Sequence, residues 1–221
     1  NVIHGEIFGV AKKINIAIFG VGLVGGTLVD QILESKAKIL KRRGVDLNVF
    51  AVANSKKVVL NANGIASDWK NELENEGVAK TVEEVAAFAN EYHLENLIAV
   101  DNTANAEFVE NYIPLVQKGF NLVSSNKIGN TISYEFYEGL REDLKRNKKT
   151  YLYETNVGAG LPLIDTIRML HHSGENITRI KGVFSGTLSY LFNNFSANNE
   201  KFSKVLQGAK DQGFTEPDPR E

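Results

Sequence analysis

Four groups of residues stand out for the ligands or reactions they could serve. Gly20-Val21-Gly22-Leu23-Val24-Gly25 is a G-x-G-x-x-G. In that spacing Gly20 permits a tight turn, Gly22 has no Cβ so that a pyrophosphate can approach the backbone, and Gly25 lets a helix pack close to a strand. Ser55-Lys56-Lys57 offers a hydroxyl and two ammonium groups, which suits a phosphate, although two lysines in a solvated loop read the same way. Lys127, in Ser124-Ser125-Asn126-Lys127, could hold a carboxylate or polarise a carbonyl, or it is a surface lysine of a connecting loop. Glu216 lies in Phe214-Thr215-Glu216-Pro217-Asp218-Pro219, where proline fixes φ at two places. A carboxylate held in this way could serve a substrate ammonium group, or be a turn residue.

Other chemistries are excluded. The chain has no cysteine, so a thiol nucleophile, a disulfide and cysteine-ligated zinc are ruled out, in keeping with a reducing, cytoplasmic setting. His4, His93, His171 and His172 show no ligand spacing and read as structural or surface residues. The net charge of −2 and the lack of a basic run argue against nucleic acid. No apolar run is long enough to cross a bilayer, and no signal peptide is evident. With 43% hydrophobic residues the chain can bury a real core.

Strands and helices alternate along the chain and hold these groups in place. Residues 1–12 read as a linker or arm. Ile14 to Phe19 is a buried strand running into the glycine turn, and Leu23, Val24, Thr27, Leu28, Ile32 and Leu33 carry helical periodicity to about Lys41. Asp46–Asn54 is the second strand. A dinucleotide site that prefers NAD(H) places an Asp or Glu at this strand's end to accept the ribose 2′-OH. Here Ala53-Asn54-Ser55-Lys56-Lys57 has no carboxylate, so the residues favour NADP(H) over NAD(H). Residues 58–80 read as an irregular excursion or short helix. Thr81-Val82-Glu83-Glu84 is a capping box. Leu97–Val100 is a strand, and Asp101-Asn102-Thr103 is expected to cap the helix after it, at the same carboxyl edge as the glycine turn. Pro114 bends or divides that helix. Strands at Phe120–Val123 and Tyr151–Glu154 flank an amphipathic Ile132–Arg146. Later come a helix from Leu163 with Gly174 just beyond its end, a strand at Arg179–Phe184, a helix from Ser185-Gly186-Thr187, and a last helix from Ser203 to Gly213.

Four stretches taken together resemble homoserine dehydrogenases: G-V-G-L-V-G-G, S-N-K, E-T-N-V-G-A-G-L-P, and G-V-F-S-G-T-L-S-Y with G-F-T-E-P-D-P-R. The resemblance runs from about residue 13 to the end. It implies an α/β fold: a Rossmann-type doubly wound parallel sheet over 13–150, then the start of an α+β substrate and dimerisation domain over 151–221. It also implies reduction of L-aspartate 4-semialdehyde to L-homoserine with NAD(P)H, on the route to threonine and methionine. Under it, Val21, Gly22, Leu23, Thr103 and Lys127 match cofactor-contacting positions, Gly186 and Thr187 line the substrate pocket, and Glu216 binds homoserine. Lys127 also lies near the substrate. Glu154 with the carbonyls of Val157, Ala159 and Leu161 matches a sodium site. The expected partners are the small-molecule substrate, a second copy of the chain in a homo-oligomer, and a fused aspartokinase, since the N-terminal segment resembles the junction in bifunctional aspartokinase–homoserine dehydrogenases.

Two departures stand out. Phe214 occupies a position where many members have tyrosine. The family continues past the proline loop with a D-L-x-G-x-D-x-x-x-K that supplies a substrate-binding Asp and a proposed proton-donating Lys, and this sequence ends first. Both ends read as cut from a longer polypeptide, so the alternative is a nucleotide-binding or dimerisation module, inactive by itself. A phosphorylating aspartate-semialdehyde dehydrogenase is excluded because that chemistry needs a cysteine.

Overall fold

The computed structural model describes residues 11–79, 81–183, 185–197 and 200–215. The expected arm lies almost wholly outside the described residues. The first elements are β1 (Lys12–Phe19), α1 (Leu23–Arg43) and β2 (Val45–Ala53). They are followed by β3 (Lys57–Leu60), α2 (Trp69–Asn75), β4 (Val78–Ala79), α3 (Val82–Glu91) and β5 (Leu97–Asp101). Next come α4 (Ala106–Val109), α5 (Tyr112–Gln117), β6 (Asn121–Ser124), α6 (Tyr134–Asn147) and β7 (Tyr151–Leu152). The described part of the chain ends with α7 (Leu163–His172), α8 (Gly186–Ala197) and α9 (Phe202–Asp211). Two compact units divide after Asn156.

In the first unit seven strands form one sheet in the order β4-β3-β2-β1-β5-β6-β7. β1 pairs in parallel with both β2 and β5, and β5–β6–β7 continue in parallel. β3 and β4 turn back antiparallel at the other edge. Strand order therefore reverses at the β1/β5 fork, the place where open α/β sheets hold ligands. From Ile16 to Phe19 β1 is continuously apolar because both its faces are covered. Ile16 and Ile18 pack with Val29 of α1 and with Trp69 and Leu73 of α2. Ala17 and Phe19 face Val85 and Ala89 of α3, Phe108 and Val109 of α4, and Tyr112 and Leu115 of α5.

Local signals match most elements. Gly44 ends α1 in the left-handed region (φ +62°), after a last turn of Lys41, Arg42 and Arg43. Thr81 and Glu84 form the reciprocal capping box of α3. Gly174 (φ +87°) lies just past α7. The helix bearing Pro114 is divided, and the proline sits in the first turn of α5, where an N–H has no intrahelical partner. The excursion after β2 is more regular than its composition suggests, because β3 hydrogen-bonds to β2 and Trp69 anchors α2 under α1.

Two expectations are corrected. Asp101-Asn102-Thr103 does not cap a helix; Asn105 does, accepting from the N–H groups of Glu107 and Phe108. Arg179–Val183 is not a strand, and Ile180 and Val183 are exposed. A strand exists only through hydrogen bonds to a neighbour, and none of the described strands lies in this unit. In the second unit α8 and α9 pack through Leu191, Val205 and Ala209, with Tyr190 and Leu206 beside them. No helix among the described residues is long and apolar enough to cross a membrane.

Candidate functional site

The glycine turn sits at the β1/β5 fork. The Gly20 N–H donates to the Ala53 carbonyl and the Asn102 N–H to the Phe19 carbonyl, each at 2.8 Å, so the turn is tied to both neighbouring strands. Gly20 has φ +82°, and a Cβ there would lie 2.8 Å from the Asn102 carbonyl carbon and the Thr103 nitrogen. A Cβ on Gly25 would lie 1.8 Å from the Gly20 carbonyl oxygen. Gly22 is different: a Cβ there would meet nothing within 4 Å, so the space beside it is open. Gly22 is the N-cap of α1, gives no side-chain cap, and no acidic residue occupies the first turn. Helix geometry leaves the leading N–H groups without intrahelical partners, so they and the positive end of the dipole are available to an anion. Leu23 and Val24 stand 89% and 60% exposed beside this opening, while Val21 packs on the core.

Next to the turn lies a buried polar cluster that the sequence reading missed. Asp101, 3% exposed, ends β5. One carboxylate oxygen accepts from the Thr103 N–H at 2.7 Å. The other accepts from the Tyr112 hydroxyl at 2.6 Å and the Asn126 side-chain amide at 3.0 Å. Ser124 Oγ lies 2.8 Å from the Tyr112 hydroxyl and accepts from the Asn126 N–H at 2.9 Å. The Asn126 amide also reaches Thr103 Oγ1 and the Asn105 carbonyl. Burial holds the Asp101 carboxyl above the ordinary carboxylate range, against the opposing pull of these hydrogen bonds. Burial and the neighbouring Asp101 charge push the Tyr112 phenol up as well. One signal pointed here: Tyr112 lies on the sheet-facing stripe of its helix, and a buried tyrosine hydroxyl needs a partner.

This cluster carries two of the expected cofactor-contacting residues. Thr103 is held through its own N–H. Lys127 is exposed and opens a 3-10 turn, Lys127–Asn130, whose N-cap is Asn126; Asn126 Oδ1 accepts from the Ile128 N–H at 3.1 Å. At the turn's far end Asn130 donates to the Tyr151 hydroxyl and accepts from Arg141. In the fork itself Asn102 Oδ1 accepts from Ser125, while Asn102 Nδ2 is buried with no hydrogen-bond partner among the described residues.

The residues expected at a 2′-phosphate separate. Asn54 caps the β2–β3 hairpin, its Oδ1 accepting from the N–H groups of Lys56 and Lys57. Ser55 and Lys56 are exposed at the tip. The Lys57 ammonium instead donates to the Glu74 carbonyl at the end of α2.

In the second unit Gly186, Thr187, Tyr190 and Phe214 line a pocket of about 370 Å³. The Thr187 hydroxyl donates to the Phe214 carbonyl, and the Tyr190 and Phe214 rings lie 5.0 Å apart. Glu216, two residues further on, lies outside the described residues. Glu154 stands in a short 3-10 turn at the end of the first unit. Val157, Ala159 and Leu161 belong to the irregular segment that opens the second, with positive φ at Gly158 and Ala159. No group of three or more His, Cys, Asp or Glu side chains suited to a metal occurs among the described residues.

Comparison with known proteins agrees with this geometry. Residues 20–154 match the family described as "Homoserine dehydrogenase, NAD binding domain", and residues 162–221 match "Homoserine dehydrogenase". The chain is 38% identical over 221 residues to bifunctional aspartokinase/homoserine dehydrogenase 1 (chloroplastic) of Arabidopsis thaliana, covering 99% of this chain and 24% of that protein. It is 36% identical to the bifunctional aspartokinase/homoserine dehydrogenase of Buchnera aphidicola, covering 98% of this chain and 26% of that one. A hyperthermophilic archaeal homoserine dehydrogenase solved in complex with NADPH superposes with a TM-score of 0.76 at 25% identity, covering 94% of this chain and 63% of that one. The chain thus spans about a quarter of the length of these curated relatives.

Proposed function

The chain belongs to the homoserine dehydrogenase family, and we propose that it performs the family's NAD(P)H-dependent reduction of L-aspartate 4-semialdehyde to L-homoserine, a step toward threonine and methionine. The observation that carries this reading is the open space beside Gly22. Two glycines of the turn are jammed against backbone, whereas the third faces free volume at the N-terminus of a helix. That is the arrangement a pyrophosphate requires.

The residues present fit the coenzyme. The N–H groups that open α1 hold the pyrophosphate, and the exposed Leu23 and Val24 offer apolar cover beside it. When bound, the coenzyme supplies the hydride. Thr103 and Lys127, both carried on the Asp101 cluster, stand at the carboxyl edge of β5 and β6. Lys127 there holds or polarises the substrate carbonyl oxygen. Gly186, Thr187 and Glu216 hold the amino acid. Fixing substrate and hydride donor in contact accounts for much of the rate in such reactions. We propose NADP(H) as the preferred form, supported by the missing carboxylate at the end of β2 and by Ser55 and Lys56 at the hairpin tip. Sodium at Glu154 and the carbonyls of Val157, Ala159 and Leu161 is a proposal that rests on hard oxygen donors in an irregular turn. Assembly into homo-oligomers and fusion to an aspartokinase complete it, the latter supported by the naming of the relatives.

The test is homoserine-dependent reduction of NADP+ by the natural full-length polypeptide. A dehydrogenase rate that disappears in Gly22→Asp supports the reading. An unaltered rate in that variant, or no reaction with homoserine under either coenzyme, overturns it.

A further inference from the structure

We infer that Asp101 is a positioning residue, whose buried carboxylate sets the place of Lys127 through Asn126. This rests on the reading that Lys127 meets substrate or cofactor.

The argument starts from what holds the Lys127 turn. Lys127 follows directly on Asn126, and nearly every polar atom of Asn126 is committed. Its side-chain amide donates to Asp101 at 3.0 Å, to the Asn105 carbonyl at 3.1 Å and to Thr103 Oγ1 at 3.3 Å. Its side-chain oxygen caps the 3-10 turn through the Ile128 N–H. Its own N–H goes to Ser124 Oγ, which in turn lies against the Tyr112 hydroxyl. Asp101 and Asn126 are each 3% exposed, so these bonds are not traded with water.

A second restraint acts on the same turn by shape. A Cβ on Gly129 would come within 2.7 Å of the Tyr112 ring and 2.9 Å of the Tyr151 hydroxyl. The turn therefore lies flat on two tyrosines, and the Tyr112 hydroxyl is the group that donates to Asp101. Asp101 thus fixes both the asparagine that starts the turn and one of the rings on which it rests. None of the five residues Asp101, Tyr112, Ser124, Asn126 and Gly129 is exposed. What they present to solvent is Lys127.

Asp101→Asn replaces one acceptor with a donor facing two donors, while keeping the acceptor for Thr103. In the natural full-length polypeptide it is expected to lower kcat/KM for homoserine by about tenfold or more, the scale of a sub-ångström misplacement. The Kd for NADPH, set chiefly by the glycine turn, rises by a smaller factor, through Thr103 and Lys127. The loss is therefore selective, larger for homoserine turnover than for coenzyme binding. Selectivity of that kind is a response that general loosening would not produce. If Asp101→Asn does not fold, Tyr112→Phe and Gly129→Ala perturb the same turn from its other side, with the same kinetic expectation. Acetylation of Lys127, followed by mass spectrometry against Lys38 as an internal reference, reads the position of the turn without using activity. A changed Lys127 rate in the variants supports the inference even if the wild-type polypeptide proves inactive with homoserine, an outcome that would defeat only the proposed function. An unchanged acetylation rate and kcat/KM in folded variants overturns the inference. So does an equal loss of homoserine kinetics and NADPH affinity.

Discussion

Gly25 faces Gly20 across the first turn so closely that a Cβ on Gly25 would lie 1.8 Å from the Gly20 carbonyl oxygen. The obstacle is backbone that is itself tied to β2 through the Gly20 N–H. Gly25→Ala is therefore expected to cost about 1–3 kcal/mol of stability, as forced overpacking does. Gly22→Ala meets no protein atom, so it should leave the urea midpoint unchanged and weaken NADPH binding. Denaturation and coenzyme titration of the two variants side by side check this. Equal stability losses would remove the distinction.

The hairpin tip separates two lysines by role. Lys56→Ala should weaken NADPH binding by about tenfold, the loss of one charge-assisted contact, and leave NADH binding as it was. Lys57→Ala should act on stability, by less than about 1 kcal/mol for an exposed bond, because its ammonium serves the Glu74 carbonyl. Parallel losses for both coenzymes in Lys56→Ala would count against a 2′-phosphate contact.

Thr187 and Phe214 connect the start of α8 to the loop before Glu216. Thr187→Val keeps the shape and removes the bond to the Phe214 carbonyl. It is expected to raise KM for homoserine by about tenfold, one hydrogen bond's worth, with the Kd for NADPH unchanged. Steady-state kinetics with each substrate varied in turn decide it, and an unaltered KM would show that this loop is placed by other contacts.

Acid stability should carry two opposing signatures. Asp101 holds its proton more tightly in the folded chain, since burial raises its carboxyl above the usual 3.8. Its contribution to stability is therefore present below 3.8 and falls as pH rises through the raised value. Asp30 runs the other way, because the Trp69 indole N–H, then Lys70, lower its carboxyl. Its contribution is present above 3.8 and is lost as pH falls through the lowered value. Asp101→Asn abolishes the first and keeps the second. Urea unfolding of both proteins across this acid range, read from Trp69 fluorescence, should show the wild-type advantage shrinking as pH rises. A constant difference between the two curves would show that Asp101 titrates alike folded and unfolded.

Short-range spacing encodes part of the chemistry directly. The glycine turn, the Thr81–Glu84 capping box, the Gly44 helix end and the missing carboxylate after Ala53 depend on backbone conformation over a few residues, and each is legible in the order of the letters. Burial of β1 on both faces is equally plain from the apolar run Ile16–Phe19. The role of Asp101 emerges only when the chain packs. Beside Asn102 and Thr103 it reads as a helix cap. Parallel pairing of β5 with β6 instead buries it against Tyr112, Ser124 and Asn126, residues 11 to 25 positions away. The fate of Arg179–Val183 was settled in the same way, since a strand-like composition gains its backbone hydrogen bonds only where a neighbouring strand supplies them. Local spacing can specify a turn, but a buried carboxylate takes its meaning from donors that only the packed chain brings within reach.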